Sequence, residues 1–298
     1  IHTVLASDGG DGFLEAINHI KKIIEIKVDV VDPLGRKVKS HYLWDSNNES
    51  AYMELANASG LTLLNKEERN PMKTSTYGTG LQLKDAITRG AKTIYVGLGG
   101  SATNEGGMGI ASAMGYSFLD YKGQELMPIG ENLAKINSIN LVKDRAVPEG
   151  VHIIAVNDVN NPLYGENGAS FVYAAQKGAK ISDIVKLDLG LRHLDQKVKE
   201  QLGKDEAINP GAGAAGGTAY GLKVFLDAEF IGGTDFMFNL CQVDKLLTEQ
   251  KFDFIITGEG SLDKQTLNGK LIQGVLELGR RYNIPVIAVC GKLGIEKT

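Results

Sequence analysis

The sequence predicts an α/β protein with a largely parallel β-sheet and helices on both of its faces. Short apolar runs of strand type alternate with longer segments whose apolar residues recur every three or four positions. Clusters of Gly, Asp and Asn follow four of these runs directly, and such alternation is typical of parallel sheets. Because the chain of 298 residues exceeds the usual size of one domain, we expect two domains that share a cleft.

The first half of the chain begins this alternation. A strand is predicted over His2–Ala6, before the loop Ser7-Asp8-Gly9-Gly10-Asp11. The helix predicted next carries its apolar residues on one face: Phe13, Ile17, Ile20 and Ile24. The further strands predicted here are Glu25–Val31, Val38–Leu43, Thr93–Leu98 and Tyr116–Leu119. A helical segment with Met108, Ala111 and Met114 on one side precedes the last of them.

The second half repeats the pattern with three more predicted strands, Val151–Val156, Phe252–Ile256 and Ile284–Val289. A long helix is predicted from about Ser182 to Leu202, with an inner stripe of Leu187, Leu191, Leu194 and Val198. A second helix carries Leu271, Val275 and Leu278. Ligands of open α/β sheets bind beyond the carboxyl ends of the strands, so the polar loops there are the candidate site.

The composition of the chain limits the classes of partner and location that are compatible with it. Hydrophobic residues make up 43% of the chain, charged residues 23%, and the net charge is −4. Lys and Arg are interleaved with acidic residues, which argues against a nucleic-acid partner. Since no apolar run approaches the roughly 20 residues that a membrane span needs, we expect no membrane association and a cytoplasmic location. The five histidines are scattered, which makes a zinc site an unfavoured interpretation.

One glycine-rich loop raises an alternative function. Gly97, Gly99 and Ala102 match the G-x-G-x-x-G/A fingerprint of dinucleotide-binding proteins, and Asp120 follows at about the 20-residue spacing that this fingerprint requires. An NAD(P)-dependent oxidoreductase is therefore one hypothesis. A Gly-rich turn before a helix suits the phosphates of ATP or a sugar acid equally well, because backbone N–H groups bind any anion. Gly97, Gly99 and Gly100 are candidate phosphate-binding residues on either interpretation.

A second run of small residues, Pro210 to Gly217, allows close backbone approach to a ligand or to another helix. The ligand interpretation makes cofactor-binding residues of four glycines: Gly211, Gly213, Gly216 and Gly217. Tight packing is the alternative. No Walker sequence, G-x-x-x-x-G-K-[ST], occurs in the chain, so any nucleotide is held in another way.

The strand-end loops also carry the acids, amides and cations that phosphoryl transfer uses. One carboxylate can accept the proton of the attacking hydroxyl, while others hold Mg²⁺. The acids are Asp8, Asp11, Asp158, Glu259 and Asp263, of which Asp11 is expected to be a helix cap. The residues that could bind a hydroxy acid are Ser101, Asn104, Asn160, Asn161, Gln265 and Thr266. Lys177 and Lys270 are candidate counter-charges to bound anions, with a solvated side chain as the alternative for each.

Taken in order, these stretches resemble the glycerate kinases of the bacterial type I family. The resemblance is carried by Ser7 to Gly12, Glu54 to Ala56, Ala58 to Leu61, Thr76 to Gly80, Gly97 to Gly107, Asp158 to Leu163, Gln176 to Ala179, Pro210 to Gly217, Thr257 to Gly260, Asp263, Gln265, and Gly269 with Lys270. It runs along essentially the whole chain. It therefore favours a kinase over an oxidoreductase or a non-catalytic hydroxy-acid-binding protein.

The resemblance implies transfer of the ATP γ-phosphoryl group to D-glycerate, with Mg²⁺ and with 2-phosphoglycerate as the usual product. Asp158 is the expected base and Asp8 its alternative, while Asp263 and Glu259 would hold Mg²⁺ and Lys270 would contact the cofactor. The expected fold has a discontinuous Rossmann- or flavodoxin-like domain, residues 1–45 plus 252–298, and an inserted α/β domain, residues 46–251. The family pattern includes further segments before Ile1 and after Thr298. The oligomeric state stays open between a monomer and a homodimer.

Overall fold

The computed structural model describes residues 1–5, 7, 9–10, 12–142, 146–262 and 270–294. Its strands are β1 (Ile24–Val31), β2 (Lys37–Asp45), β3 (Ser50–Glu54), β4 (Thr93–Gly97), β5 (Tyr116–Leu119), β6 (Ser138–Leu141), β7 (His152–Val156), β8 (Glu229–Ile231), β9 (Ile255–Leu262) and β10 (Val286–Leu293). Its α-helices are α1 (Phe13–Lys21), α2 (Ala56–Ser59), α3 (Tyr77–Thr88), α4 (Met108–Ala113), α5 (Ala169–Tyr173), α6 (Ile181–Leu202), α7 (Ala214–Leu226), α8 (Gly233–Leu240), α9 (Val243–Glu249) and α10 (Lys270–Tyr282). Short 3₁₀ helices cover Leu61–Leu63, Lys66–Glu68, Gly130–Lys135 and Ala175–Lys177.

The central sheet has six strands in the order β1-β2-β3-β4-β7-β8. Strands β3, β4, β7 and β8 pair in parallel, whereas β2 is antiparallel to both of its neighbours. A second parallel pair joins β9 to β10, and an antiparallel pair joins β5 to β6. The prediction of an α/β fold with a largely parallel sheet is confirmed.

Side chains on the two faces of the central sheet enter two separate cores. One face packs Phe13 and Ile17 of α1 and Phe236 of α8 against Tyr52 and other sheet residues. The opposite face packs the helices α3, α4, α6 and α7 against residues such as Met53 and Ile94. Period-two alternation explains this division, since neighbouring strand residues point to opposite faces.

Several predicted bounds differ from the structure. Residues 2–5 of the predicted strand His2–Ala6 form no strand, and Ala6 lies outside the described residues. The strand predicted from Phe252 begins at Ile255, because residues 251–254 stay irregular before β9 pairs with Pro285 and β10. The long helix is confirmed as α6, and Leu187, Leu191, Leu194 and Val198 are all fully buried.

The domain division stays a prediction, and one of its boundaries meets a continuous sheet. Residues 43–45 of β2 pair with residues 50–52 of β3, so the boundary between residues 45 and 46 divides hydrogen-bonded neighbours. The structure joins β1 and β2 to the sheet of the segment predicted as inserted. Strand pairing of this kind depends on contacts distant in sequence, which local patterns do not specify.

Candidate active site

The carboxyl ends of four parallel strands lie in register at one edge of the central sheet. Glu54 of β3 pairs with Gly97 of β4, Gly97 pairs with Val156 of β7, and Val156 pairs with Ile231 of β8. The loops that leave these strands therefore start side by side. This is the edge at which open α/β sheets bind their ligands, and three of the predicted site loops begin near it.

The glycine loop before α1 packs directly onto this edge. Gly99 N–H donates a hydrogen bond of 3.0 Å to the Gly9 carbonyl, and a Cβ on Gly99 would lie 2.1 Å from Gly10 Cα. Glu54 accepts a hydrogen bond of 2.9 Å from Leu14 N–H at the start of α1. The close approach accounts for glycine at Gly99, and it brings the loops after β4 and before α1 together.

The loop after β4 does not have the geometry of a dinucleotide fingerprint. Residues 98–107 are irregular, and α4 begins only at Met108, well after Ala102. Asp120 lies in a turn at the end of β5, where its carboxylate accepts hydrogen bonds from Lys122 and Gln124 N–H. Because β5 belongs to a separate antiparallel pair, Asp120 does not follow a strand of the parallel sheet, and the oxidoreductase hypothesis loses its structural basis.

Lys177 occupies an unusual position for a lysine. Its side chain is 2% exposed, and Nζ donates hydrogen bonds of 2.7 Å to Ser101 Oγ and of 2.7 Å to the Thr103 carbonyl. Burial lowers the pKa of Lys177 to about 7, an effect that the charge of Glu105 partly offsets. The predicted counter-charge is therefore neither solvated nor at the surface. Lys177 therefore stabilises the loop after β4 from the protein interior, through its hydrogen bonds to Ser101 and Thr103.

Glu105 is a functional-site candidate that sequence reasoning missed. Its side chain is fully buried, and Oε1 accepts hydrogen bonds from the hydroxyl and the N–H of Thr76, just before α3. Burial raises the pKa of Glu105, with the Thr76 hydrogen bonds acting in the opposite direction. The signal in the sequence is a carboxylate inside the same segment of glycines and small polar residues that supplies the predicted candidates Ser101 and Asn104.

Ser101 and Asn104 are both buried on this loop. Asn104 Nδ2 donates a hydrogen bond of 2.9 Å to Ser170 Oγ of α5. Three consecutive residues each leave one buried oxygen without a partner among the described residues: Thr103 Oγ1, Asn104 Oδ1 and Glu105 Oε2. Unpaired buried polar atoms are rare in folded proteins, so their concentration here makes the loop a candidate for ligand or water binding.

Asp158 lies just beyond β7 and contacts the beginning of α8. Its Oδ1 accepts a hydrogen bond of 3.0 Å from Gly233 N–H, and its Oδ2 accepts bonds from the N–H and hydroxyl of Thr234 at 3.2 and 3.1 Å. A helix N-terminus favours a negative charge at this position. The carboxylate is therefore oriented at the strand edge, and it also caps α8.

The two predicted asparagines differ in their surroundings. Asn160 is exposed, while Asn161 is half-buried and fixed by hydrogen bonds. Tyr173 Oη donates to Asn161 Oδ1 at 2.6 Å, and Asn161 Nδ2 donates to the Asn167 carbonyl at 2.7 Å. Asn160 is the freer of the two to bind a ligand from solvent.

The Gly211–Gly217 segment is buried against protein rather than open to the edge. A Cβ on Gly216 would lie 2.0 Å from the Thr103 carbonyl oxygen, and one on Gly213 would lie 2.3 Å from the Pro162 carbonyl oxygen. Gly106 N–H also donates to the Gly216 carbonyl at 3.1 Å. These contacts favour the tight-packing interpretation, in which the segment packs against the loops after β4 and β7 and stabilises them.

Several predicted residues cannot be placed at the edge. Asp8, Asp11, Asp263, Gln265 and Thr266 lie outside the described residues, and so do the side chains of Glu259 and Lys270. Glu259 is on β9, paired with Cys290 of β10.

The described side chains near the strand edge offer carboxylates to Mg²⁺. They contain no group of three metal-ligating residues, but Mg²⁺ needs only one or two protein carboxylates when phosphates supply other ligands. Asp158 and Asp235 meet this requirement from either side of Gly232. A Cβ on Gly232 would lie 3.1 Å from Asp158 Oδ1 and 3.3 Å from Asp235 Oδ2. Carboxylate oxygens are ligands of the kind that Mg²⁺ takes, and Asp235 offers them beside Gly232, whereas the oxygens of Asp158 accept three hydrogen bonds from α8.

A separate groove of about 820 Å³ lies between α9, α10 and β9, with a mainly apolar lining that includes Phe238, Leu246, Phe252 and Val275. Such a lining suits neither a carboxylate nor a phosphate, so the strand edge remains the candidate site.

No helix within the described residues has the length and apolarity to cross a membrane.

Comparison with known proteins identifies the family of this chain. The model of the glycerate kinase family matches residues 1–298. The chain is 42% identical over 288 residues to a glycerate kinase of Halalkalibacterium halodurans, which covers 97% of this chain and 75% of the relative. It is 37% identical over 292 residues to the glycerate 2-kinase of Escherichia coli, covering 98% and 76%.

A solved structure from Salmonella typhimurium LT2, assigned as a glycerate kinase 2, superposes with a TM-score of 0.84 at 36% identity. The match covers 96% of this chain and 76% of that one. The chain thus spans about three quarters of the length of these relatives. Sequence and structure agree in this comparison, and the chain belongs to the glycerate kinase family.

Proposed function

We propose that this protein transfers the γ-phosphoryl group of ATP to the 2-hydroxyl of glycerate at the carboxyl edge of β3, β4, β7 and β8. The observation that supports this most strongly is the register of Glu54, Gly97, Val156 and Ile231, which starts all four loops at one place. Family membership supplies the reaction, since the glycerate kinase family model matches the whole chain.

Asp158 is the proposed base for the glycerate hydroxyl. A carboxylate in this role must be ionised, oriented and within hydrogen-bond reach of the hydroxyl, and the three hydrogen bonds from α8 meet the second requirement. Asp8 is the alternative base. Ser101, Asn160 and the Gly100 N–H would bind anionic or hydroxyl groups of the substrates, because Gly100 is exposed at the edge.

Mg²⁺ would neutralise charge on the ATP phosphates when bound. Glu259 and Asp263 remain the proposed ligands from the sequence, and Asp235 beside Gly232 is a described carboxylate that would add to them. A cytoplasmic location also remains a proposal.

The substrate assignment is tested by measuring ADP formation with D-glycerate, tartronate, lactate and related hydroxy acids. We expect rapid ADP formation with D-glycerate, and ³¹P spectra that match authentic 2-phosphoglycerate rather than 3-phosphoglycerate. Equal rates without any hydroxy acid would contradict the proposal, because they would indicate only ATP hydrolysis. Reduction of NAD⁺ in the presence of the same hydroxy acids, without ATP, serves as the control for a dehydrogenase, because the hydroxy acid would be the hydride donor.

The role of Asp158 is tested with Asp158→Asn beside Thr234→Val. Loss of a general base typically lowers turnover by about 10²- to 10⁴-fold. Thr234→Val removes one hydrogen bond to the same carboxylate but leaves the carboxylate in place. If Asp158 only caps α8, both variants lose stability while kcat stays near normal, and that result would remove Asp158 from the mechanism.

A further inference from the structure

The loop after β4 is tied to the rest of the protein by buried polar contacts on two sides. On one side, Glu105 accepts hydrogen bonds from Thr76 before α3. On the other side, Asn104 contacts Ser170 of α5, and Lys177 contacts both Ser101 and Thr103. Buried networks of this kind fix one conformation of a loop, because breaking any bond leaves an unpaired polar atom in the interior.

Lys177 differs from the other residues that hydrogen-bond to this loop because it contacts Ser101, which is next to the solvent-exposed part of the loop. Ser101 is next to Gly100, which is exposed and has a left-handed backbone with φ of +67°. The side chain of Lys177 is too deeply buried, at 2% exposure, to reach a substrate by itself. Any effect of Lys177 on a ligand at the edge must therefore pass through Ser101 or Thr103.

The hydrogen bond from Lys177 determines what Ser101 can do. A serine hydroxyl has one proton to donate and lone pairs that accept. Because Ser101 Oγ accepts from Lys177 Nζ at 2.7 Å, its own proton remains available for donation to another acceptor. A hydroxyl that accepts from an amine is also a stronger donor, since hydrogen bonds in a chain polarise one another.

The position of Lys177 is fixed by its local backbone. It ends the short 3₁₀ helix Ala175–Lys177, and Gly178 follows with φ of +93°. A Cβ on Gly178 would lie 2.1 Å from the Arg69 carbonyl oxygen, so the turn after Lys177 is held against the Arg69 segment. The amine is thereby presented to the loop after β4 by a rigid support.

We propose that Lys177 is a positioning residue which orients the Ser101 hydroxyl to donate a hydrogen bond to an anionic oxygen of a bound substrate. The anion is either the carboxylate of glycerate or a phosphate of ATP, since both present the same kind of acceptor. This inference rests on the proposed function of the strand edge. It assigns no direct substrate contact to Lys177.

The test is a double-mutant cycle with Lys177→Met, Ser101→Ala and the combined variant, measured as KM and kcat for glycerate and for ATP separately. Met replaces the lysine with an apolar chain of similar length, and Lys186→Met on the exposed face of α6 is the matched control. We expect each single change to raise the KM of one substrate by about 10- to 100-fold, which corresponds to one charge-assisted hydrogen bond. The KM of the other substrate should change less than about twofold.

Because Lys177 acts through Ser101, the combined variant should be no worse than Ser101→Ala alone. Multiplicative losses in the combined variant, or a rise of both KM values together, would overturn the proposal. The substrate whose KM rises identifies the anion. A wild-type protein without activity on glycerate would instead contradict the proposed function, and binding of each substrate by calorimetry would still test the Lys177–Ser101 pair.

A second pair of variants covers the case in which Lys177→Met does not fold. Ser101→Thr keeps a hydroxyl at this position, whereas Ser101→Ala removes it. Retained KM in the Thr variant with a raised KM in the Ala variant supports the proposal. Equal KM values in the two variants would overturn it, because a role in packing alone does not depend on the hydroxyl.

Discussion

Replacing Gly216 with Ala tests how the Gly211–Gly217 segment supports the candidate site. Gly216 has φ of +69° and Gly203, at the end of α6, has φ of +68°, so both are left-handed to the same degree. A Cβ on Gly203 meets no atom within 4 Å, whereas one on Gly216 would lie 2.0 Å from the Thr103 carbonyl oxygen. The pair separates backbone strain from steric overlap.

Each Ala variant should lose about 1 kcal/mol of unfolding free energy, because a side chain makes the left-handed conformation costly. Gly216→Ala should lose roughly 1–3 kcal/mol more, which is the usual cost of forcing extra volume into a packed interior. Thr103 is also the residue whose carbonyl accepts from Lys177, so displacing it should lower kcat/KM for the kinase reaction.

The assay is urea unfolding of both variants and the wild type, with the midpoints compared at equal m values. A loss in Gly216→Ala no larger than in Gly203→Ala would refute the reasoning, since it would mean that the Thr103 segment moves away at no cost. A normal kcat/KM in a destabilised Gly216→Ala variant would show that the contact between Gly216 and Thr103 stabilises the fold but does not affect catalysis by the loop after β4.

Three further predictions concern the buried polar cluster and the core. The pKa of Lys177 is lowered to about 7 from an ordinary 10.5, so the folded state disfavours the charged amine. The stability of the wild type is therefore highest above pH 10.5, where the amine is neutral, and falls as the pH decreases toward 7. Relative to Lys177→Met, its unfolding free energy measured in urea should rise between pH 7 and 10.5 by at most about 1.4 kcal/mol per pH unit. Because the pKa of Glu105 is raised, its contribution to the unfolding free energy is fully present below pH 4.5 and declines as the pH rises. Glu105→Gln should remove this decline from the pH dependence of the unfolding free energy, and an unchanged pH profile in the variant would contradict the prediction. Leu194→Ala should cost about 2–5 kcal/mol by leaving a cavity, while the exposed Leu189→Ala should stay within about 0.5 kcal/mol, and equal midpoints would show that α6 does not bury this face.

Much of the fold followed from local patterns in the sequence. The stripe from Leu187 to Val198 has helical period and lies fully buried on α6. The strand ends were placed close to their true positions at Gly97 and Val156, since apolar runs that end in glycine or asparagine mark the point where a buried strand stops.

The errors arose where long-range contacts decide the structure. Residues 2–5 have the composition of a strand but form none, and the pairing of β2 with β3 was not visible locally. The apparent dinucleotide fingerprint matched in letters alone, because the helix after Gly97 begins too late and Asp120 belongs to another sheet.

The candidate site shows the same division. Loop positions at the strand edge could be predicted from the sequence because they depend on where strands end. The burial of Lys177 and its bond to Ser101 could not, because 76 residues separate the two partners. Glu105 could not be singled out from the sequence for a related reason, since only its tertiary surroundings distinguish it from an ordinary surface acid.

The most direct test of the central claim follows the label of ATP that carries ³²P in its γ-phosphoryl group. With D-glycerate present, the account predicts that the label appears in 2-phosphoglycerate in a one-to-one ratio with ADP, and that Asp158→Asn reduces this transfer by two orders of magnitude or more, on the order of a lost general base. Label recovered as inorganic phosphate, or transfer that persists at the wild-type rate in Asp158→Asn, would contradict the assignment of the strand edge as the site of phosphoryl transfer.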